Sequence, residues 1–529
     1  MHPEFAIVDL FAGPGGLAEG FSSIRNKDGS RPFQIALSVE KETSAFETLR
    51  LRSFFRQFNG TPPTDYYRFL NGDIPEPDWK SRFSVEWKHA CLETAKLELG
   101  SRVAAQEIDA RLAQITKSHR GNVILIGGPP CQAYSVVGRA RNKGTEGYEA
   151  SKDHRHFLYK EYIRILQTLM PAAFVMENVK GLLSSSVDGE RVFDQVLDDL
   201  SKVGNGSYRL VPLAPRSGQS FFGQMVHPLA SDFVVQAEDH GIPQSRHRVI
   251  IVGIRADIAA GLDVGQISAA LLAQSEFPVT VRDVLKGMPK LRSGLSSGDD
   301  SEAIWQSETS RVMRSVSRAA LGLSDDDRKA FKRLGESVAL RLSAMTSVHR
   351  RIGGPYADVP SSCPNELKQW LVDRKLKRFP NNETRPHMLA DLGRYFYAAL
   401  YGRIVGVSPK AKDFPRELAP HHRSWKTGKF ADRFRVQLWN RPATTVTSHI
   451  SKDGHYFIHP DPAQCRSLTV REAARLQTFP DNYFFKGNRT QQFVQVGNAV
   501  PPFLARNIAA SVYGLLLASA ASRKLKKAG

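Results

Sequence analysis

The sequence predicts an α/β protein, a doubly wound parallel sheet with a second, smaller domain inserted late in the chain. Three observations carry that expectation. Short apolar runs at Phe5–Leu10, Ile35–Val39, Val123–Ile126, Ala173–Met176 and Val249–Gly253 alternate with helical spacing through the first 255 residues, the rhythm of parallel strands and crossover helices. A Gly-rich turn, Gly13-Pro14-Gly15-Gly16, follows the first run almost directly. After Ile254 the rhythm breaks and returns only from Arg441. The α/β domain is therefore expected from residues 1–255 plus 441–529, with residues 256–440 inserted.

Taken in order, each element has a reason. Phe5–Leu10 is apolar throughout, as a buried strand is, and the Gly-rich turn after it lets a nucleotide-like cofactor approach the backbone. The spacing Gly13-x-Gly15-x-x-Ala18 suits a dinucleotide and S-adenosylmethionine equally. Glu40, ending the second run, suits ribose hydroxyls, and Asp73 in Asn71-Gly72-Asp73-Ile74 is a candidate acceptor for an adenine amino group. Either acid alone reads equally as a turn or cap residue. Trp87 to Ile115 carries Leu92, Leu99, Val103, Ile108, Leu112 and Ile115 at helical spacing and predicts a helix; Leu158 to Leu169 predicts another. Residues 292–303 (RSGLSSGDDSEA) predict a polar linker. Ile508 to Ala521 is too short to span a bilayer and predicts a core helix. MHPEF runs straight into the first strand, so no targeting segment and no membrane association are expected.

The four cysteines, Cys91, Cys131, Cys363 and Cys465, lie far apart in 529 residues. Without a C-x-x-C pair, neither a disulfide framework nor a structural zinc is expected, and no metal is predicted; a reducing cytoplasm fits. The net charge of +20 points to a polyanionic partner. Residues 330–440 hold 21 Lys and Arg against 9 Asp and Glu, interleaved with Tyr395, Phe396, Tyr397, Tyr401, Trp425, Phe430, Phe434 and Trp439. This is a solvated basic face or a surface that contacts phosphates and releases counterions.

The chemistry gathers at predicted strand ends. GGPPCQAYS at residues 127–135 places Cys131 behind Pro129-Pro130, followed by the loop Gly138-Arg139-Ala140-Arg141-Asn142-Lys143-Gly144. A free cysteine is usually a small buried hydrophobe, but a filler does not need this punctuation, which favours a nucleophile. Glu177, ending Val175-Met176-Glu177, brings a carboxylate whose proton could be donated if its pKa were raised. Gln244-Ser245-Arg246-His247-Arg248 brings two guanidiniums to one face if the stretch is extended.

Together these segments resemble the C5-cytosine-specific DNA methyltransferase family. DLFAGPGG is similar to its cofactor motif, PPCQ to its nucleophile motif, and ENV and QSRHR follow in the family's order. Arg441-Pro442-Ala443-Thr444-Thr445 and Gln495-Val496-Gly497-Asn498-Ala499-Val500 resemble its last two motifs, so the likeness frames Asp9 to Val500. Ala133 stands where the family often has glycine. The resemblance implies a Rossmann-like methyltransferase domain, S-adenosylmethionine as cofactor, duplex DNA as substrate and residues 256–440 as the target-recognition domain. It implies Cys131 as the nucleophile at C6 of a flipped cytosine, Glu177 holding N3 and the exocyclic amine, and Arg246 and Arg248 supporting base and adduct. Phe11 would lie against the adenine, Gly13, Gly15 and Pro130 would line the cofactor site, Glu40 and Asp73 would bind ribose and adenine edge, and Asn498 and Val500 would close the pocket. A monomer is expected, either paired with a separately encoded restriction endonuclease or an orphan methylase. Three rivals are a non-catalytic DNA-binding relative, a tRNA cytosine methyltransferase and a dinucleotide oxidoreductase. The first should lack the thiol, acid or arginines, the second should have a small inserted domain, and only the Gly-rich loop supports the third.

Overall fold

The computed structural model describes residues 4–130, 154–187, 190–215, 228–319, 323–347, 349–420, 425 and 432–528. Strands β1 (Phe5–Leu10), β2 (Phe33–Glu40), β3 (Thr94–Lys96), β4 (Val123–Gly127), β5 (Ala173–Val179), β6 (Tyr208–Val211), β7 (Val234–Gln236) and β8 (His247–Arg255) build one sheet. Their order is β3-β2-β1-β4-β5-β8-β6, with β7 also paired to β8. From β3 to β5 the neighbours are parallel, and β8 runs antiparallel to β5, β6 and β7. The fold is the expected doubly wound α/β type, except that Val249–Gly253, expected in a parallel strand, lies in β8, which runs antiparallel to β5.

Side-chain alternation explains why both faces are covered. Phe5 and Ile7 of β1 enter one core, while Ala6, Val8 and Leu10 enter the other. On the first face pack α1 (Gly16–Ser22), through Leu17, Ala18 and Phe21, and the C-terminal helix Pro502–Ala528, through Phe503, Leu504, Ile508 and Val512. The stretch Arg489–Arg523 has the length and apolarity of a membrane span, but 61% of its most apolar window is buried inside the protein. Helix α2 (Thr43–Arg56) follows β2, and its Arg52 and Arg56 are buried against Glu19 and Glu93.

Residues 87–115 do not form one helix. They divide into α3 (Ser84–Glu93), strand β3 and α4 (Arg102–Ser118), with Gly100 at φ 88° in the turn and Ser101 capping α4. The apolar residues at helical spacing belong to separate elements: Ala95, Leu99, Ile108 and Leu112 enter the second core, whereas Leu92 and Val103 face solvent. Helix α5 (His154–Leu169) covers the same face through Tyr162, Ile165 and Leu166.

A third core lies in a helical unit made by α6 (Glu302–Ser317), α7 (Asp325–Ser343) and α8 (Leu389–Val405). Tyr395, Phe396, Tyr397 and Phe434, which the sequence interleaves with basic residues, are buried in this core. Residues Ile258 to Met288 and Val359 to Phe379 contribute instead to the first core, and Ile458 and Cys465 to the third, so the cores divide the chain differently from a cut at 256 and 440. The stretch 292–303 is folded: Arg292 is buried and bonds Asp300 at 2.7 Å, and Gly294–Leu295 pairs with Pro386–His387.

Candidate active site

Parallel pairing aligns the ends of β1, β4 and β5. Leu10 pairs with Gly127, and Gly127 with Met176, so the Gly-rich turn, the Gly128-Pro129-Pro130 exit and Glu177 share one edge of the sheet. Helix N-termini and strand ends converge at such an edge, where doubly wound sheets bind their ligands.

Glu177 and Arg248 meet there. Ile250 is the register partner of Glu177, which makes Arg248 its diagonal neighbour on the same face, and Arg248 Nε lies 3.0 Å from Glu177 Oε1. The side chains are 14% and 13% exposed for Arg248 and Glu177, shielded enough to fix their geometry yet still reachable. Glu177 also abuts Gly128, in the segment expected to carry the nucleophile. A Cβ at Gly128 would stand 2.9 Å from Glu177 Oε2, so glycine permits this approach. The next residue after Glu177, Asn178, donates from Nδ2 to the Pro129 carbonyl at 3.0 Å, tying the end of β5 to the Pro-Pro exit. Cys131 and the loop following it lie outside the described residues, which end on that side at Pro130.

Arg246 takes a different position from the one the sequence predicts. The chain is not extended through it: Gln244–Ser245 pairs with Ala443–Thr444, β8 begins at His247, and the Arg246 N–H turns back to the Gln244 carbonyl at 3.0 Å. Its guanidinium, although within the field of Arg248 and Glu177, is spent on backbone carbonyls. It donates to the carbonyls of Val446 at 2.8 Å and Ala499 at 2.9 Å, with Gly497 at 3.4 Å, and the residue is 1% exposed. Burial, followed by the neighbouring Arg248 charge, holds its pKa well below the ordinary arginine value. Arg246 thus clasps the two C-terminal motif segments to the body, with no face open to a base. Gln244, which sequence reasoning passed over, does the same from the adjacent position: its Oε1 accepts from Val446 N–H at 2.9 Å and its Nε2 donates to Leu476 O at 3.0 Å.

The cofactor-side residues gather around the Gly-rich turn. Phe11 adopts φ 56°, unusual for a residue with a side chain, and is half-buried. Gly13 N–H donates to Glu40 Oε2 at 2.8 Å, while Glu40 Oε1 accepts from the N–H groups of Lys41 and Glu42 at 2.9 and 2.8 Å. Burial raises the Glu40 carboxyl pKa, and these backbone donors oppose the rise. A Cβ at Gly13 would meet nothing within 4 Å, so the turn is open above a carboxylate-lined floor, a fit for a ribose-bearing cofactor. From the far end of the chain, the Val500 carbonyl packs on Gly16, and Tyr483 donates to the Pro14 carbonyl. Asn498 is exposed at the end of the helix Arg489–Asn498, two residues from Val500. Beneath the turn, Asp9 is fully buried, and burial pushes its carboxyl pKa well up against the opposing pull of Arg56 and the Ala18 N–H.

Asp73 does not join this group. The chain between α2 and β3 makes a helical excursion, and Asp73 ends on its turn, 3.9 Å from Lys377 Nζ and with its N–H donated to Arg68 O at 2.8 Å. The strand flanking β2 is β3, and its continuation, Leu97-Glu98, reaches the cofactor edge: Leu97 N–H donates to Glu40 O at 3.2 Å and Lys41 Nζ lies 3.2 Å from Glu98 Oε1. The signal was the short run Thr94-Ala95-Lys96-Leu97 ahead of Gly100, masked by the helical spacing around it.

Comparisons with known proteins identify the family and the fold. Residues 76–514 match the family described as C-5 cytosine-specific DNA methylase. The type II methyltransferase M.Bpa9945I of Bacillus paralicheniformis is 32% identical over 523 residues, covering 96% of this chain and 98% of that protein. The type II methyltransferase M.AgeI of Thalassovita gelatinovora is 25% identical over 536 residues, again covering 96% and 98%. A prophage-encoded E. coli chain assigned as a DNA modification methyltransferase has a similar fold, with a TM-score of 0.52 at 18% identity over 97% of this chain and 100% of its own.

Proposed function

Because this chain belongs to the C-5 cytosine-specific DNA methylase family, we propose that it methylates C5 of a flipped cytosine in duplex DNA through a covalent adduct between Cys131 and C6. The observation that carries this reading is the Glu177–Arg248 pair, held against Gly128 and Pro129 at the edge that also bears the Gly-rich turn. C5 of cytosine is a weak nucleophile. Attack by the Cys131 thiolate on C6 breaks the C5–C6 double bond and makes C5 electron-rich. Glu177 holds N3 and the exocyclic amine, so charge developing on the ring meets a fixed partner. Arg248 fixes the orientation of Glu177 and supports the base. Extrusion of the cytosine brings C6 within reach of the thiol. Loss of the C5 proton then restores the double bond and expels the cysteine.

S-adenosylmethionine, when bound, supplies the methyl group that passes to C5. Phe11, Gly13, Gly15, Glu40, Pro130, Asn498 and Val500 would hold it, with Leu97-Glu98 in the place expected of Asp73 at the adenine edge. Arg246 serves as a positioning residue, because its contacts are to the carbonyls of Val446, Gly497 and Ala499. The relatives named as type II methyltransferases favour the modification half of a restriction–modification pair, with the endonuclease encoded separately, over an orphan methylase. Labelled methyl transfer from S-adenosylmethionine to duplex DNA tests the reading. Wild type should label DNA at cytosine C5, and label appearing only in tRNA would overturn it.

A further inference from the structure

We propose that Glu238, acting through His247, is a positioning residue for Arg248: the two clamp from behind the peptide that Arg248 grips. For the task of Arg248 itself this rests on the methyl-transfer reading. It gives a use to the histidine of Gln244-Ser245-Arg246-His247-Arg248, which neither the cofactor turn nor the Glu177 site employs.

Arg248 spends its guanidinium in two directions. Nε lies 3.0 Å from Glu177 Oε1, and Nη1 donates to the carbonyl of His247 at 2.8 Å. The face offered to Glu177 therefore depends on where the peptide between His247 and Arg248 stands. That peptide lies at the end of a ladder. Pairing of β8 with β5 begins at Arg248, opposite Val179, so the β5 ladder does not reach His247. On its other side His247 is paired with Gln236 of β7.

Alternation sends the two side chains apart. Arg248 shares its face with Ile250 and Val252, which enter the first core, and His247 shares its face with Val249 and Ile251, which enter the second. The imidazole thus points away from Glu177 and meets the turn Ala237–His240, with Nε2 2.7 Å from Glu238 Oε1. A carboxylate only accepts, so Nε2 carries the proton and donates. The turn is itself held: Ala237 N–H donates to Arg246 O at 3.0 Å, Gln236 Nε2 donates to Asp239 Oδ2 at 2.7 Å, and His240 Nδ1 lies 2.9 Å from Ala273 O. A continuous path then runs from the Glu238 carboxylate through the imidazole, the His247 carbonyl and the Arg248 guanidinium to Glu177. Its two carboxylates stand on opposite faces of the sheet, so Glu238 acts only through the groups between them.

Both members of the clamp are partly open, His247 32% and Glu238 18% exposed, and a pair so placed adds little to global stability. A rate is more sensitive, because the site works through charges fixed in place. The effect is therefore expected in kcat and not in the melting temperature.

The test compares full-length wild type with Glu238→Ala, His247→Ala, His247→Gln, Arg248→Met and the double variant Glu238→Ala/Arg248→Met. Glu238→Ala and His247→Ala should each lower kcat for methyl transfer on the order of ten-fold, with KM for S-adenosylmethionine and the melting temperature near wild type. His247→Gln, which keeps an N–H for Glu238, should recover most of the rate. In the Arg248→Met background, Glu238→Ala should change kcat by less than about two-fold, since the group it positions is gone. In NMR spectra of arginine-labelled protein, the Arg248 Nε–H should exchange faster with water in Glu238→Ala than in wild type. A Glu238→Ala rate at the wild-type level overturns the proposal, and so does a loss of equal size with and without Arg248. A wild type that methylates no DNA defeats the methyl-transfer reading instead. The Arg248 Nε–H signal then decides the clamp alone: faster exchange in Glu238→Ala upholds it, and unchanged exchange overturns it.

Discussion

At the ends of the parallel strands the charged groups meet one another: Arg248 faces Glu177, and the Glu40 carboxylate is encircled by backbone N–H groups. In the cavity beside the helical unit, Arg282, Lys286, Lys290, Arg341, Arg403 and Arg441 form no ion pair among the described residues, although Asp461 shares the lining and lies in the field of Lys290. The two arrangements suit different tasks. A site that stabilises developing charge on a small ring works best when its dipoles and charges are already in place, because reorganising them during reaction raises the barrier. Cations left without an internal partner keep their charge available to solvent counterions or to an arriving anion. Preorganised pairs and unpaired cations are therefore two signatures that one chain can carry a short distance apart in sequence.

The sharpest way to break this comparison is at Glu177. Glu177→Ala should lower the rate of methyl transfer about 10³-fold, read as labelled methyl incorporated into DNA under single-turnover conditions. A rate within a few-fold of wild type would remove the acid from the chemistry. The two arginines give the next largest contrast. Arg246→Met strips buried carbonyls of their donor and should cost about 3 kcal/mol of stability, seen as an earlier denaturant midpoint. Arg248→Met, at a site that is partly open, should leave that midpoint nearly in place while kcat/KM falls. Reversal of those outcomes would exchange the two roles.

A smaller effect separates two candidate adenine-edge acids. Glu98→Ala should raise KM for S-adenosylmethionine several-fold, and Asp73→Ala should leave it within about two-fold, since Asp73 faces Lys377 on a distant turn. Equal effects would restore Asp73 to the site. The smallest is a pH dependence at Asp9. Its carboxyl pKa is raised by burial, so folding favours the protonated form. The stability tied to that proton is fully present below the unfolded-state pKa and is lost as pH rises through the folded one. Asp9→Asn should therefore gain on wild type as pH climbs from about 4, with the gain levelling once wild-type Asp9 is ionised. Parallel melting-temperature curves for the two proteins across that range would sink the assignment.

Much of this was legible in the chain itself. The strands that carry the site are uninterrupted apolar runs ending in a Gly-rich turn, in Pro-Pro or in Glu177, and buried parallel strands leave that mark because both faces exclude polar residues. The strand Thr94–Lys96 is not legible because local spacing cannot tell one long helix from helix, strand and helix when each segment buries a different subset of its apolar residues, as Leu99 and Ile108 do while Leu92 and Val103 stay exposed. Arg246 leaves the face expected of it because the chain turns there between two ladders, which alternation along the sequence does not reveal. The aromatics interleaved with basic residues are not all surface groups: Tyr395, Phe396 and Tyr397 lie on one buried helix, a matter of which helices pack together. Long-range pairings of this kind have no local sequence signature.

The adduct between Cys131 and C6 is the centre of the account, and one measurement reaches it directly. A duplex carrying 5-fluorocytosine, incubated with the protein and S-adenosylmethionine, cannot release the enzyme by losing a C5 proton once the methyl group has been transferred. Wild type should accumulate a covalent protein–DNA complex that survives denaturing electrophoresis, and Cys131→Ser should form none. Methyl transfer by wild type to ordinary DNA without any trapped complex, or a complex that persists in Cys131→Ser, would contradict it.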